Sequence, residues 1–262
     1  MSDDPFELDR LLSAAERAAE RAKLIAKRYF EAGVEVEIKA DQTPVTQADR
    51  ECEEAIRAVL KRATPDIPIY GEEFGHDPGE SDSLWLVDPI DGTKAFVRGY
   101  GFFSTQIALL RHGQIVLGVS ALPLGGGDAR ARRERPSFVA GRPARVSAHT
   151  RIDGAHVSTG NLKSLAVSPA WARFGALIPR FGRIRGYGDY LHYHMLALGQ
   201  LDAVIESDVN ILDIAALSVI VEQAGGTFSD LHGAPLTLAT TSVLAAATPE
   251  LHASLLAEIA YP

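Results

Sequence analysis

The stretch Ser83-Leu84-Trp85-Leu86-Val87-Asp88-Pro89-Ile90-Asp91-Gly92-Thr93 constrains this chain more than any other. Its apolar run reads as a strand buried on both faces, inside a layered sheet. The strand delivers Asp88 to its C-terminal end. Pro89 has no N–H to give to a ladder, so the strand is expected to stop there. Asp91 follows three residues after Asp88, in a turn, and both carboxylates can point into one cavity. Two carboxylates that close repel and desolvate each other unless a cation lies between them. Gly92-Thr93 then offers backbone N–H groups with little side chain in the way. A helix starting here would form an anion nest suited to phosphate. The same residues also read as an Asp-Gly turn with an Asx cap. Spacing alone does not separate the two.

Two further acidic positions bear on that choice. Gly71-Glu72-Glu73 sits just past a short strand expected over Ile67–Tyr70, either as a solvated loop or as a second contribution to the same site. Asp213 stands in Val209-Asn210-Ile211-Leu212-Asp213-Ile214-Ala215-Ala216, either as a helix cap or as a metal ligand at a helix start. Hard oxygen ligands select Mg²⁺ over Zn²⁺. His192 and His194 lie two apart on an expected helix, Asp189–Leu198, and so do not share a face. Cys52 is the only cysteine, and no HExxH occurs. Walker A, GxGxxG and GxSxG patterns are also absent, which excludes P-loop, dinucleotide and typical serine-esterase chemistry.

The carboxylates belong to a wider surplus. The chain has 262 residues and a net charge of −8. That sign argues against nucleic acid and anionic membranes as partners. The most apolar stretches, such as Ile214–Val221, fall far short of the ~20 residues a membrane span needs. The acidic N-terminus does not resemble a signal peptide, and a cytoplasmic protein is expected.

A long helix is expected from Pro5, capped by Asp4 with Glu7 completing the pattern, to Gly33. A strand over Val34–Lys39 follows, and the Thr46/Asp49 pair opens a helix to about Arg62. Thr105–Arg111 and Gln114–Leu122 read as a hairpin turned at His112-Gly113. The arginines of 125–135 read as a solvated hairpin tip. Strands and helices then alternate, with helices expected at 169–179, 189–198, 213–224 and 249–259. Mixed sheets layered with helices follow, an α/β (α+β) class, with two halves, 1–145 and 146–262.

Read together, these motifs resemble the inositol monophosphatase superfamily of Mg²⁺-dependent phosphatases. Gly71-Glu72-Glu73, Asp88-Pro89-Ile90-Asp91-Gly92-Thr93 and Asp213-Ile214-Ala215-Ala216 with Ala224-Gly225-Gly226 match in order and spacing, as do Lys39 and Val45–Asp49. The resemblance implies a layered α-β-α-β-α sandwich and a homodimer. It implies two or three Mg²⁺ ions on Glu72, Asp88, Asp91, Asp213 and the Ile90 carbonyl, with phosphate on Gly92 and Thr93. Thr93 with Asp49, alongside Glu72, would orient or deprotonate the attacking water. Where the family usually carries Trp before the helix aspartate, this chain has Leu212, and weaker packing is expected there.

Within the superfamily the chain looks closest to the histidinol-phosphatase branch. The stretches carrying this are Gly71–Gly75, Asp91–Phe96, Trp171–Phe174 and Gly186–Tyr193. Histidinol phosphate carries an ammonium and an imidazole, which Asp189 and Glu206 could pair with. The same carboxylates could accept from the hydroxyls of an inositol or sugar phosphate. A relative that binds a phosphorylated ligand without turning it over is the reading from another class.

Overall fold

The computed structural model describes residues 5–33, 36–38, 44–79 and 81–262. The expected cap at Asp4, the match at Lys39 and the ends of the Val34–Lys39 strand lie outside the described residues. The chain folds as a layered α-β-α-β-α sandwich. The outer layer is α1 (Pro5–Ala32) and α2 (Gln47–Ala63), joined through the antiparallel pair β1 (Val36–Ile38) and β2 (Pro44–Thr46). The large sheet comprises β3 (Ile69–Gly71), β4 (Gly75–His76), β5 (Ser83–Asp91), β6 (Ser104–Arg111), β7 (Gln114–Ala121), β8 (Ala129–Arg132), β9 (Phe138–Val139) and β10 (Arg142–Pro143). A short helix, α3 (Thr93–Val97), follows β5. The spatial order is β10-β9-β8-β7-β6-β5-β3-β4.

The second sheet contains β11 (His156–Thr159), β12 (Arg183–Arg185), β13 (Ala203–Ser207), β14 (Thr227–Ser229) and β15 (Ser242–Ala246), in the order β12-β11-β13-β15-β14. Helices α4 (Lys163–Val167), α5 (Ala170–Leu177) and α8 (Pro249–Ile259) cover its far face, while α6 (Asp189–Ala197) and α7 (Ile211–Gln223) lie between the sheets. Among the described residues no helix is long and apolar enough to cross a membrane.

Strand periodicity explains the layers. Leu84 and Leu86 join the core around α7, while Trp85 and Val87 join the core under α1 and α2. Alternate side chains of one apolar run thus fill two cores. β13 repeats this, with Val204 facing α7 and Ala203 and Ile205 facing α4, α5 and α8. On α1, Ala15, Ala18, Ala22 and Ala26 are fully buried, and their small side chains bring the helix close to α2 and β7. Central helix α7 is apolar on all sides because it is covered on all sides: Ile214 to Val221 are buried without a break. Leu212 is buried in the same core.

Two expectations change. The arginines of 125–135 form a solvated tip only in part: Arg130 and Arg135 are exposed and Arg133 is half-buried, but Arg132 is not solvated. Arg132 is 2% exposed on β8 and pairs with Asp9 at 2.5 Å, and Arg130 pairs with Glu16 at 2.6 Å. Both fasten α1 to the sheet, and at Arg132 burial by that helix overrode the usual solvation of a charge run. The helix read as starting at Asp213 begins at Ile211, with Asn210 as its cap. The hairpin turn does fall at His112 (φ +49°) and Gly113 (φ +75°), both left-handed as a tight β-hairpin requires.

Gly118 sets the distance between β7 and α7. A Cβ there would lie 2.6 Å from the Ala216 carbonyl oxygen and 2.8 Å from Val219 Cγ1. Gly118→Ala is therefore expected to destabilise the chain by about 1–3 kcal/mol, read as a lower midpoint in urea with an unchanged slope.

Candidate active site

Pro89 does not end its strand. β5 continues to Asp91, and the irregularity lies in its pairing: Asp88 faces Gln106 and Asp91 faces Ser104 on β6. Three steps on β5 thus match two on β6, which is a one-residue β-bulge. The bulge accommodates the missing N–H, and the Pro89 carbonyl accepts from Thr105 Oγ1 at 2.8 Å. Its main consequence is parity. In a regular strand, residues three apart face opposite sides. One extra residue turns Asp91 to the same face as Asp88, toward α7, while Val87 and Ile90 both face the core of α1 and α2. The Asx reading is also present, since Ile90 N–H donates to Asp88 Oδ1 at 3.0 Å.

Asp213 reaches this face from the first turn of α7. Its carboxylate accepts the Asn210 N–H at 2.9 Å, completing a capping box with the Asn210 side chain. Asp88, Asp91 and Asp213 each offer an oxygen within 4.8 Å of the others. Among the described residues no lysine or arginine forms an ion pair with them. Burial drives the Asp88 pKa well above the carboxylate range, and the charges of Glu72, Asp91 and Asp213 add to it. Burial does the same to Asp91, reinforced by Asp189 and Asp213 and opposed by donors on Ser104 and Gln106. Burial pushes Asp213 up to about 6. The donor set is all carboxylate. His192 and His194 are buried elsewhere, on Glu206 and Ser120. An uncompensated, all-oxygen cluster fits a hard divalent cation.

The three carboxylates floor a cleft of about 730 Å³, which Glu72, Ile90, Gly92, Thr93, Lys94, Asn161, Tyr187 and Asp189 also line. Glu72 is exposed and its carboxyl bonds that of Asp88. Gly92 has φ +88°, and a Cβ there would lie 2.8 Å from the Phe102 carbonyl oxygen, so only glycine fits this turn. The Ala95 and Phe96 N–H groups of α3 donate to the Gly92 carbonyl at 2.8 and 3.0 Å, and the amides at Gly92 and Thr93 precede that first helical bond. Thr93 Oγ1 lies 3.0 Å from the Ile90 carbonyl and 3.3 Å from Asp49 Oδ1. Asp49 is itself buried, held by Thr46 N–H at 2.8 Å and Thr46 Oγ1 at 2.6 Å, and burial raises its pKa to about 6.

The opposite wall comes from the second sheet. Asp189 opens α6 with φ +46°, a left-handed conformation that costs a non-glycine residue energy. Burial in the cleft, then the charge of Glu206, raises its pKa. Glu206 itself does not line the cleft. It is 4% exposed, and its carboxylate accepts from His192 Nε2 at 3.0 Å, Tyr193 OH at 2.6 Å and Asn161 N–H at 3.1 Å. Burial would raise its pKa, yet these donors and the His192 charge hold it below the ordinary value. Glu206, expected at the substrate, sits behind the cleft wall as a buried strut joining α6 to the Asn161 loop.

The chain matches the profile of the inositol monophosphatase family over residues 7–261. This chain belongs to that family. It is 37% identical to the histidinol-phosphatase of Mycobacterium tuberculosis over 238 residues, 89% of this chain and 90% of that protein. It is 38% identical to the histidinol-phosphatase of Streptomyces coelicolor, covering 86% of this chain and 87% of the other. Its fold superposes on the extragenic suppressor protein suhB from Bartonella henselae with a TM-score of 0.85 and 28% identity, covering 95% and 98% of the two chains. The chain is accordingly a phosphatase of the inositol monophosphatase family.

Some residues in and behind this family member's cleft escaped the sequence reading. Ser104 Oγ donates to Asp91 Oδ2 at 2.9 Å, and Gln106 Nε2 bonds Ser104 Oγ at 2.7 Å. The signal was present, as three polar residues, Ser104 to Gln106, leading into the apolar run Ile107 to Leu110. Asn161 carried no such signal, because only the folded chain brings its loop to the cleft.

The raised carboxylates make stability depend on pH. Asp49 and Asp213 ionise at a higher pH folded than unfolded, so the stability they contribute is present below the ordinary carboxylate range and lost as pH rises through about 6. The metal-free chain is expected to melt at a higher temperature at about pH 5.5 than at about pH 7.5. A divalent cation should raise the melting temperature most at the higher pH, where protons no longer compete. Scanning calorimetry with and without chelator checks both.

Proposed function

We propose that this chain hydrolyses L-histidinol phosphate to L-histidinol and phosphate in a Mg²⁺-dependent reaction. The observation that carries the reading is the facing of two walls across one cleft. The phosphate-directed loop Asp91-Gly92-Thr93 lies on one, and Asp189 lies on the other. The similarity to two histidinol-phosphatases supports the choice of ester.

Asp88, Asp91 and Asp213, with Glu72 and the Ile90 carbonyl, would hold the Mg²⁺. When bound, Mg²⁺ supplies charge neutralisation and Lewis acidity to the phosphate oxygens and the attacking water. The chain does the rest. The N–H groups at Gly92 and Thr93 seat the phosphate. Asp49 holds the Thr93 hydroxyl, which orients the water, and Glu72 accepts its proton. Asp189 pairs with the cationic end of the substrate. Glu206 acts behind this wall, by fixing α6 through His192 and Tyr193. Most of the rate then comes from position and charge, as is usual in phosphoryl transfer.

Phosphate release from histidinol phosphate, inositol 1-phosphate and fructose 1,6-bisphosphate, titrated with Mg²⁺, tests the reading. Histidinol phosphate should give the highest kcat/KM, and if it gives the lowest the substrate assignment fails. No turnover of any ester at saturating Mg²⁺ would leave a binding protein instead. Asp189→Asn should raise KM for histidinol phosphate by about 10-fold or more, the worth of one charge-assisted contact, and change that for fructose 1,6-bisphosphate much less.

A further inference from the structure

Glu53 lies on α2 one turn beyond Asp49, fully buried. Its carboxylate reaches the turn that carries Glu72. Glu73 N–H donates to Oε2 at 2.7 Å, and Phe74 N–H donates to Oε1 at 3.3 Å. Arg57 Nε donates to the same Oε1 at 2.7 Å. Arg57 then donates to the Gly75 carbonyl at 2.7 Å and to Asp77 Oδ1 at 2.6 Å. One buried ion pair therefore grips the turn from residue 73 to residue 77. Gly71 makes room for it, because a Cβ there would lie 1.9 Å from Glu53 Oε1. Glu72 sits between these fixed points, with its own N–H on the Val87 carbonyl at 3.2 Å. A buried pair of this kind is a weak source of stability, since apolar residues of the same size commonly do as well. What it does supply is a fixed backbone under an exposed side chain.

We propose that Glu53 is a positioning residue for Glu72. By fixing the turn, it presents the Glu72 carboxyl to the cleft beside Asp88. Residues four apart share a helix face, so α2 sets two parts of the site at once: Thr93 through Asp49 and Glu72 through Glu53. This inference rests on the proposed role of Glu72 at a Mg²⁺ site.

The test is Glu53→Gln, which keeps the side-chain size but removes the charge and one acceptor. Three quantities are read: amide hydrogen exchange over residues 72–77, Mg²⁺ binding by calorimetry, and kcat and KM with their Mg²⁺ midpoint. In a folded variant, exchange at residues 72–74 should speed up by about 10-fold or more. Mg²⁺ affinity should fall by about 10–100-fold, with kcat falling and KM for the ester nearly unchanged. Glu53→Gln combined with Glu72→Gln should be no worse than Glu72→Gln alone, because both act through one group. Wild-type exchange and a wild-type Mg²⁺ midpoint overturn the proposal, as does an additive double variant. Should Glu53→Gln fail to fold, Gly71→Ala pushes the Glu53 carboxylate off the turn with the Glu53 and Arg57 charges retained. The same shifts are expected from it, and a wild-type Mg²⁺ midpoint overturns the proposal equally. A wild-type chain that binds Mg²⁺ but turns over no ester sinks the catalytic reading alone. Exchange and calorimetry then still decide the role of Glu53.

Discussion

Three carboxylates, Asp88, Asp91 and Asp213, face one another inside this molecule, and much of the architecture serves to keep them there. Left to themselves they would separate or bind protons, because buried like charges are unfavourable. They are held by parts that have no freedom to relax. Asp88 and Asp91 project from a strand buried on both faces. Asp213 projects from the start of a helix enclosed by two sheets, pinned by the Asn210 N–H. The close approach of α7 to β7 at Gly118 locks the two supports together.

The bulge at Pro89 is the local device on which this convergence depends. A flat strand would send Asp91 into the apolar layer beneath α1 and α2, where Val87 and Ile90 sit. One unmatched residue reverses that and aims both acids at α7. The neighbouring β6 supplies what the bent strand lacks, through Ser104, Thr105 and Gln106. Strain gathers around the same cleft: Asp189 and Asp208 adopt left-handed backbone conformations on its wall, which only a glycine such as Gly92 takes without cost. Such conformations persist only where the surrounding layers over-determine them.

How far the sequence could be read follows from whether a residue's partner lies nearby in the chain. The Thr46/Asp49 cap, the His112-Gly113 turn and the two-faced strands were legible because each depends on neighbours within a few residues. Arg132 was misread because its partner, Asp9, lies on the first helix. The surroundings of Glu206 were out of reach for a similar reason. Its position in the chain suggested a cleft, whereas His192 and Tyr193 on α6 enclose it. Glu53 drew no attention at all, since an acidic residue on a polar helix looks ordinary until the 71–77 turn is folded against it.

The sequence by itself determined the layered class, the order of the acidic motifs and the hard-oxygen character of the site. Those follow from apolar periodicity and from residue types, which need no third dimension. Only the tertiary structure decided which carboxylates share the cleft and which are consumed behind it. It did so through the register of β5 on β6 and the seating of α7 between the sheets. Both are relations between segments far apart in the chain, set by how side chains from different layers pack. The surplus of eight negative charges shows the difference. Composition gave its size, whereas folding buried part of it, with no lysine or arginine ion pair to Asp88, Asp91 or Asp213 among the described residues, where a divalent cation can reverse its sign.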